Sequence, residues 1–116
     1  MPESTNYAVN RPAGDVEKWS KDQTARYIRR CVKCPQGGHF FIADPHGYER
    51  MEERDCDVTE VLEVVTKGTF TDWEPPERPQ YSGMRLTFVL QKRTSKRKVI
   101  MLVSNEFDGC MLITVI

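Results

Sequence analysis

The sequence lacks the features that place a protein in a membrane or send it out of the cell. No stretch approaches the roughly 18 to 20 apolar residues of a membrane-spanning helix. The polar segment 2–10 has no apolar core of the kind found in a signal peptide. We therefore expect a cytoplasmic protein that makes no membrane contact and keeps its four cysteines reduced or as ligands, not as disulfides.

An excess of charge of either sign is also absent. The 116 residues include 17 basic and 17 acidic side chains, so any contact with nucleic acid requires a local patch. Two strong catalytic signatures are missing as well, because there is no GxSxG motif and no phosphate-binding glycine loop followed by lysine and a helix. The length fits one domain.

Composition and capping signals divide the chain into an arm and a helical first half. Residues 1–18 have no apolar period and predict a flexible arm, so the single domain is expected over 19–116. Ser20 and Gln23 form a capping box that starts a helix over 21–33. Its basic residues are predicted on the solvated side: Arg26, Arg29, Arg30 and Lys33.

A short apolar strand over 39–43 and two more helices are predicted next. The second helix covers 45–54, where the Asp44 carboxylate caps free amides and Pro45 occupies the first helical position. The third helix has an acidic capping box and a favoured C-terminal pair: Asp57 with Glu60, then Lys67 with Gly68.

The second half of the domain predicts strands. A short strand around Phe70 leads into a proline-containing loop that ends near Tyr81. A three-stranded antiparallel meander then follows over 84–91, 99–103 and 110–116, with its turns in 92–98 and at Asp108 and Gly109. The fold class is therefore α+β: an N-terminal helix, a short strand, two helices and a C-terminal antiparallel meander.

One face of the second helix carries the strongest candidate site. His46, Arg50 and Arg54 are spaced by four residues, so they project from one side of the helix. Such a set can bind a phosphate group and transfer a proton. The alternative is a solvated helix whose arginines pair with the acidic neighbours Glu49, Glu52, Glu53 and Asp55.

Arg85 is a second candidate because it lies within a predicted strand, on the face opposite Met84 and Leu86. There it can bind phosphate or form a structural ion pair. Trp73 and Tyr81 are candidates for stacking on a base nearby.

Two basic clusters are candidates for RNA contacts or for simple solvation. One is the set on the first helix, and the other lies in the predicted turn: Lys92, Arg93, Lys96, Arg97 and Lys98.

A zinc site can be drawn from Cys31, Cys34, His39 and His46. The spacing differs from that of the known zinc fingers, and cysteines three apart also suit the inward side of a helix end. We therefore expect no metal and no cofactor, and we keep a small zinc-stabilised adaptor as an alternative.

The segment from His46 to Arg54 resembles the uncharacterised bacterial domain-of-unknown-function family 4258, whose pattern is H-x-x-x-R-M-x-E-R. The likeness extends over about 24–116 and includes the Arg85 strand. Matching residues are His46, Arg50, Met51, Glu53 and Arg54. The chain departs from the family at 73–81 and at Asp55 and Cys56, where the family more often has a glycine and an aliphatic residue.

The order of elements is also similar to that of the RelE and MqsR group of small bacterial toxins, which cleave messenger RNA. This resemblance implies a metal-independent endoribonuclease with RNA and an antitoxin protein as partners. His46 would act as acid or base, and Arg50, Arg54 and Arg85 would hold the phosphate. The neutral net charge speaks against it, and a non-catalytic protein-binding module, using the open sheet face or the edge of the last strand, is the alternative.

Overall fold

The computed structural model describes residues 11–33, 37–76 and 82–116. These ranges form three α-helices and a five-stranded sheet, which confirms the predicted α+β class. In chain order the elements are α1 (Lys21–Lys33), β1 (Phe40–Ile42), α2 (His46–Glu53), α3 (Val58–Lys67), β2 (Thr69–Glu74), β3 (Met84–Gln91), β4 (Lys96–Ser104) and β5 (Phe107–Val115). None of the helices in these ranges combines the length and apolar character needed to cross a membrane.

The sheet has the strand order β1-β5-β4-β3-β2. The four strands from β2 to β5 form an antiparallel meander, so the predicted three-stranded meander gains β2 at one side. At the other side β1 runs parallel to β5, with Phe40 opposite Cys110 and Ile42 opposite Leu112. The strand β5 is therefore flanked by β1 on one side and β4 on the other.

The core lies between one face of the sheet and the helices α1 and α3. Alternation along β3 points Leu86 and Phe88 into this core, where both are fully buried. The helices contribute a matching apolar stripe that includes Tyr27, Ile28, Val61, Val64 and Val65. The helix α2 contributes Met51 to the same core.

The segment before α1 contacts the domain. Val16 is fully buried in the core, and its backbone N–H donates to Asn105 Oδ1 at 3.0 Å. Arg11 donates from Nη2 to the carbonyl oxygen of Ser104 at 2.7 Å. Residues 11–18 of the predicted arm are thus fastened to the turn between β4 and β5.

The capping signals have different outcomes. The Ser20 and Gln23 box is confirmed, because the Gln23 N–H donates to Ser20 Oγ at 3.0 Å and the Ser20 N–H donates to Gln23 Oε1 at 2.9 Å. In α3 Asp57 Oδ1 accepts from the Glu60 N–H at 2.8 Å. The Glu60 side chain does not reach back, since it accepts a hydrogen bond from Arg97 Nε at 2.9 Å instead.

The predicted Asp44 cap of α2 is wrong. The helix begins at His46, its N-cap position is Pro45, and no side chain caps it. Asp44 therefore stands one residue too early to reach the amides that a cap binds. The Gly47 N–H instead donates to the carbonyl oxygen of Ala43 at 2.7 Å.

The predicted turn at Asp108 and Gly109 is also misplaced. The chain turns at 105–106, and both residues lie within β5. Gly109 has φ +100°, and a Cβ there would clash with the backbone of His39. The glycine is needed because β1 approaches β5 closely at an irregularity of the strand, not because the chain reverses.

Arg29 does not lie on the solvated side of α1 as predicted. Its Nε donates to the carbonyl oxygen of Val65 at 2.9 Å and its Nη2 to that of Gly68 at 2.7 Å. The guanidinium also stacks over the rings of Phe70 and Phe88, at 5.2 and 5.5 Å. A long side chain with a planar fork can reach the unbonded carbonyls at the end of α3, and helical periodicity does not show such a target.

Candidate functional site

A pocket of about 380 Å³ lies between α2 and the sheet face that α1 and α3 do not cover. All four candidate residues, His46, Arg50, Arg54 and Arg85, line it. The rest of the lining is Pro76, Ile100, Ile113, Thr114, Val115 and Ile116. Side chains from α2 and from β3 therefore meet around one concave space.

The packing of α2 decides which side of it faces the pocket. Gly47 and Met51 are buried, whereas Tyr48 is 54% exposed. A Cβ at Gly47 would lie 2.9 Å from Ile42 Cγ2 and 3.0 Å from the carbonyl oxygen of Leu112, so the absent side chain permits close contact with β1 and β5. With this side against the sheet, the His46 side of α2 turns to the pocket.

The strand register sets the opposite wall. Arg85 lies opposite Leu102, and Ile100 lies opposite both Thr87 and Thr114. Residues opposite each other share a face, so Arg85, Ile100 and Thr114 are on the same face, away from Leu86 and the core. The predicted face of Arg85 is confirmed.

A β-bulge shapes the end of β5 beside α2. Ile100 pairs with Thr114 and Met101 with Leu112, which leaves Ile113 as an extra residue in β5. In the described sheet β1 ends opposite Leu112. The stretch 113–116 thus has α2, and not another strand, on its outer side. Sequence reasoning missed this bulge, because the apolar run 110–116 shows no break in its pattern.

Two ion pairs and one histidine–carboxylate contact lie beside the pocket. Arg85 Nη2 lies 3.3 Å from Glu74 Oε2, and Arg50 Nη1 lies 3.4 Å from Glu53 Oε1. His46 Nδ1 is 4.0 Å from Glu49 Oε1. Within the described ranges Arg54 forms no ion pair.

These pairs bear on whether an anion can enter. The carboxylates of Glu53 and Glu74 are 61% and 47% exposed, and such ion pairs contribute little free energy. Among the described residues of the lining none is acidic. A phosphate group entering the pocket would therefore meet Arg50 and Arg85, whose ion pairs with Glu53 and Glu74 contribute little free energy.

The aromatic residues proposed beside Arg85 do not both belong to the described pocket. Trp73 packs against the core. It lies at an irregularity of β2 between Thr71 and Glu74 and is not among the described residues that line the pocket, so the structure does not place Trp73 for stacking beside Arg85. Tyr81 lies outside the described residues.

Of the proposed zinc ligands, Cys34 lies outside the described residues. Elsewhere in the described chain no three His, Cys, Asp or Glu side chains are grouped to hold a metal ion. Cys31 is fully buried beside Cys110, whose hydrogen bond lowers the pKa of Cys31, while burial raises the pKa of Cys110.

The basic cluster predicted in the turn 92–98 spans the β3–β4 turn and the start of β4, because β4 begins at Lys96, and α3 engages part of it. Lys92 Nζ donates to Glu63 Oε1 at 2.9 Å, which raises the pKa of Lys92, and Arg97 donates to Glu60. This cluster therefore holds the turn onto α3.

Comparison with known proteins gives one family. Residues 44–116 match the family described as a domain of unknown function, DUF4258. The matched segment includes α2, α3 and the strands β2 to β5, and with them every residue of the pocket lining. No curated protein and no solved structure matches the chain. The chain belongs to the DUF4258 family.

Proposed function

We propose that this member of the DUF4258 family binds RNA in the pocket between α2 and the sheet and cleaves its backbone without a metal ion. The observation that supports the proposal is that His46, Arg50, Arg54 and Arg85 line one pocket. In this proposal the protein is a RelE/MqsR-like toxin, and an antitoxin protein that covers the pocket restrains it.

The reaction needs a base, an acid and cations around one phosphate. The ribose 2′-hydroxyl loses a proton to the base and its oxygen bonds to the adjacent phosphorus. The bond from phosphorus to the 5′ oxygen breaks, and that oxygen takes a proton from the acid. The products are a 2′,3′-cyclic phosphate and a 5′-hydroxyl, and the atoms balance without any other reactant.

His46 is the proton-transfer group in this scheme. Its Nδ1 lies 4.0 Å from Glu49 Oε1, beyond hydrogen-bond distance, and a neutral imidazole has one acceptor nitrogen. An acceptor nitrogen suits the base that activates the 2′-hydroxyl. The imidazole is 37% exposed, so substrate can reach it.

The arginines stabilise the charge on phosphorus oxygens. Arg85 is the best fixed, because its side chain is only 17% exposed and it stands on a strand with neighbours on both sides. Arg50 and Arg54 approach from α2. Guanidinium groups bind phosphate oxygens in pairs and stabilise the extra negative charge of the transition state.

The apolar part of the lining suits the rest of a nucleotide. Ile100 and Ile113 stand on the sheet side, beside Pro76. A sugar or base can pack against these side chains while its phosphate meets the arginines. The chain has no net charge, so attraction for RNA in this proposal is local to the pocket.

Cleavage is tested with single-stranded RNA in the presence of a metal chelator. We expect products that end in a 2′,3′-cyclic phosphate. A DNA oligonucleotide of the same sequence, which lacks the 2′-hydroxyl, is the control substrate and should not be cut. The rate should fall about 10²- to 10⁴-fold in His46→Gln, and about 10²-fold in Arg85→Gln. Arg93→Gln, which changes an exposed arginine of the β3–β4 turn, is the matched control and should keep the wild-type rate. Intact RNA with the wild-type protein, or full activity of His46→Gln, would refute the proposal.

The ion pairs of Arg50 and Arg85 favour a second candidate, in which the arginines are scaffolding of a protein-binding module. The Glu74→Gln variant separates the two. For RNA binding, removal of the Glu74 carboxylate takes away a negative charge beside Arg85 and raises RNA affinity. For scaffolding, the loss of this pair lowers the free energy of unfolding by at most about 1 kcal/mol and changes no RNA affinity. Growth arrest with cut transcripts on expression in bacteria supports the toxin, and normal growth supports the module.

A further inference from the structure

We infer that a second cleft, on the N-terminal side of the molecule, binds the phosphate dianion of a phosphomonoester. This cleft of about 240 Å³ is lined by Arg11, Pro12, Gln23, Arg26 and Arg30. It lies on α1, which packs against the sheet face opposite the pocket, so the inference does not depend on the proposed function.

Arg11 is a charge held in place before any ligand arrives. Its Nη2 donates to the carbonyl oxygen of Ser104 at 2.7 Å, and its Nη1 donates to the hydroxyl of Tyr27 at 3.2 Å. The guanidinium also stacks over the rings of Trp19 and Tyr27, at 5.0 and 5.6 Å. These contacts fix the guanidinium at little further entropic cost on binding.

The other donors stand on one side of α1. Gln23, Arg26 and Arg30 follow at intervals of three and four residues, so successive side chains are neighbours on the helix. The Gln23 Oε1 accepts from the Ser20 N–H, so a ligand would meet its amide NH₂. The cleft therefore combines the fixed charge of Arg11, whose Nη1 also donates to the carbonyl oxygen of Phe107 at 3.3 Å, with the donors of Gln23 and Arg26.

The charge around the cleft favours a dianion. Three of its five lining residues are arginines, and in the described chain none of the five is acidic. The carboxylate that approaches Arg11 is that of Asp108, at 3.9 Å and 74% exposed, so its ion pair is weak. A monoester offers three oxygens and nearly two negative charges above its second pKa of about 6, whereas a diester offers two oxygens and one charge.

Methyl phosphate and dimethyl phosphate are the probes. We would use the full chain carrying Arg50→Gln and Arg85→Gln, so that the pocket is silenced, at low salt and neutral pH. The amide resonances of Gln23, Arg26 and Arg30 should shift with methyl phosphate, with a dissociation constant of about 1 mM. Dimethyl phosphate should bind roughly tenfold more weakly.

Two further substitutions are then added to that protein one at a time. Each of them, Arg26→Gln or Arg30→Gln, should weaken the binding of methyl phosphate about tenfold. Arg93→Gln removes the same charge far from α1 in the sequence and should leave the affinity unchanged, and circular dichroism checks that each variant is folded. Equal weakening by Arg93→Gln, equal affinity for the diester, or no shift at the α1 amides would each overturn the inference. Failure of RNA cleavage in the pocket would not affect it.

Discussion

The hydroxyl of Tyr27 accepts a hydrogen bond of 2.6 Å from the backbone N–H of Gly109. It also accepts from Arg11, so one phenol oxygen joins the N-terminal segment, α1 and β5. The tyrosine is fully buried, and burial raises its pKa. The neutral hydroxyl is thus the form that holds these three segments together.

Tyr27→Phe should lower the free energy of unfolding by about 1 to 3 kcal/mol, because the Gly109 N–H would stay buried without its acceptor. Urea denaturation measures the change. Tyr48→Phe is the matched control, since Tyr48 is 54% exposed, and it should alter stability by less than about 0.5 kcal/mol. Equal effects of the two variants would contradict this role of Tyr27.

Arg29→Lys should also destabilise the protein, by about 1 to 3 kcal/mol, because a lysine cannot donate to both Val65 and Gly68 and stack on the two phenylalanines. Thermal unfolding would show it. Arg26→Lys makes the same change on an exposed part of α1 and should be nearly neutral. If Arg29→Lys left the stability unchanged, the positive charge alone would account for the contribution of Arg29.

Asp55→Gly should stabilise the protein by about 0.5 to 1 kcal/mol. At the end of α2 the Asp55 N–H donates to the Glu52 oxygen and the Cys56 N–H to the Met51 oxygen, which is a Schellman motif, and Asp55 holds the left-handed position with φ +51°. This is where the chain departs from the glycine expected from the family resemblance.

Asp55→Ala supplies the opposing control for that prediction, because alanine keeps the Cβ and loses the polar group that tolerates this conformation. Chemical denaturation should rank glycine above aspartate and aspartate above alanine. A reversed order would show that the Asp55 side chain itself stabilises the turn.

Stability should fall at alkaline pH because of Cys56. Burial, with a smaller contribution from Glu60, raises the pKa of this thiol from 9.0 to about 11. The unfolded chain then releases the proton at a lower pH than the folded protein, so the contribution is complete below pH 9 and is lost as the pH rises to about 11.

The stability difference between the wild type and Cys56→Ala, followed by urea denaturation from pH 8 to 11, isolates this thiol from the other groups that titrate there, since the variant retains them. The difference should be constant up to pH 9, and above pH 9 the free energy of unfolding of the wild type should fall relative to that of the variant. A flat difference would mean that the Cys56 thiol ionises equally in both states.

Local signals in the sequence were enough for the helices and for the face of Arg85. The Ser20 box and the Asp57 cap act within four residues, and the alternation along β3 places Arg85 opposite the core without reference to any other strand. The spacing of His46, Arg50 and Arg54 likewise fixes their common side. The sequence could not predict that these side chains share a pocket with Arg85, because that depends on how α2 packs on β5.

The Asp44 error is local, but the other errors arise where a residue contacts a partner that is distant in the sequence. Gly109 serves the approach of β1, Arg29 serves the end of α3, and Glu60 turns to Arg97 in place of its own helix start. The bulge at Ile113 belongs to the same class, since it exists only relative to β4. Capping and turn rules use only residues that are close in the sequence, so they cannot predict contacts between distant segments.

The position of β5 between β1 and β4 sets the order of events during synthesis on the ribosome. When residue 106 has been added, every other described strand exists, yet β1 has no parallel partner because its partner is still to come. The pairing of β1 therefore has to wait until β5 has been made. Strands that depend on a partner distant in the sequence are slower to pair and more exposed to misassembly.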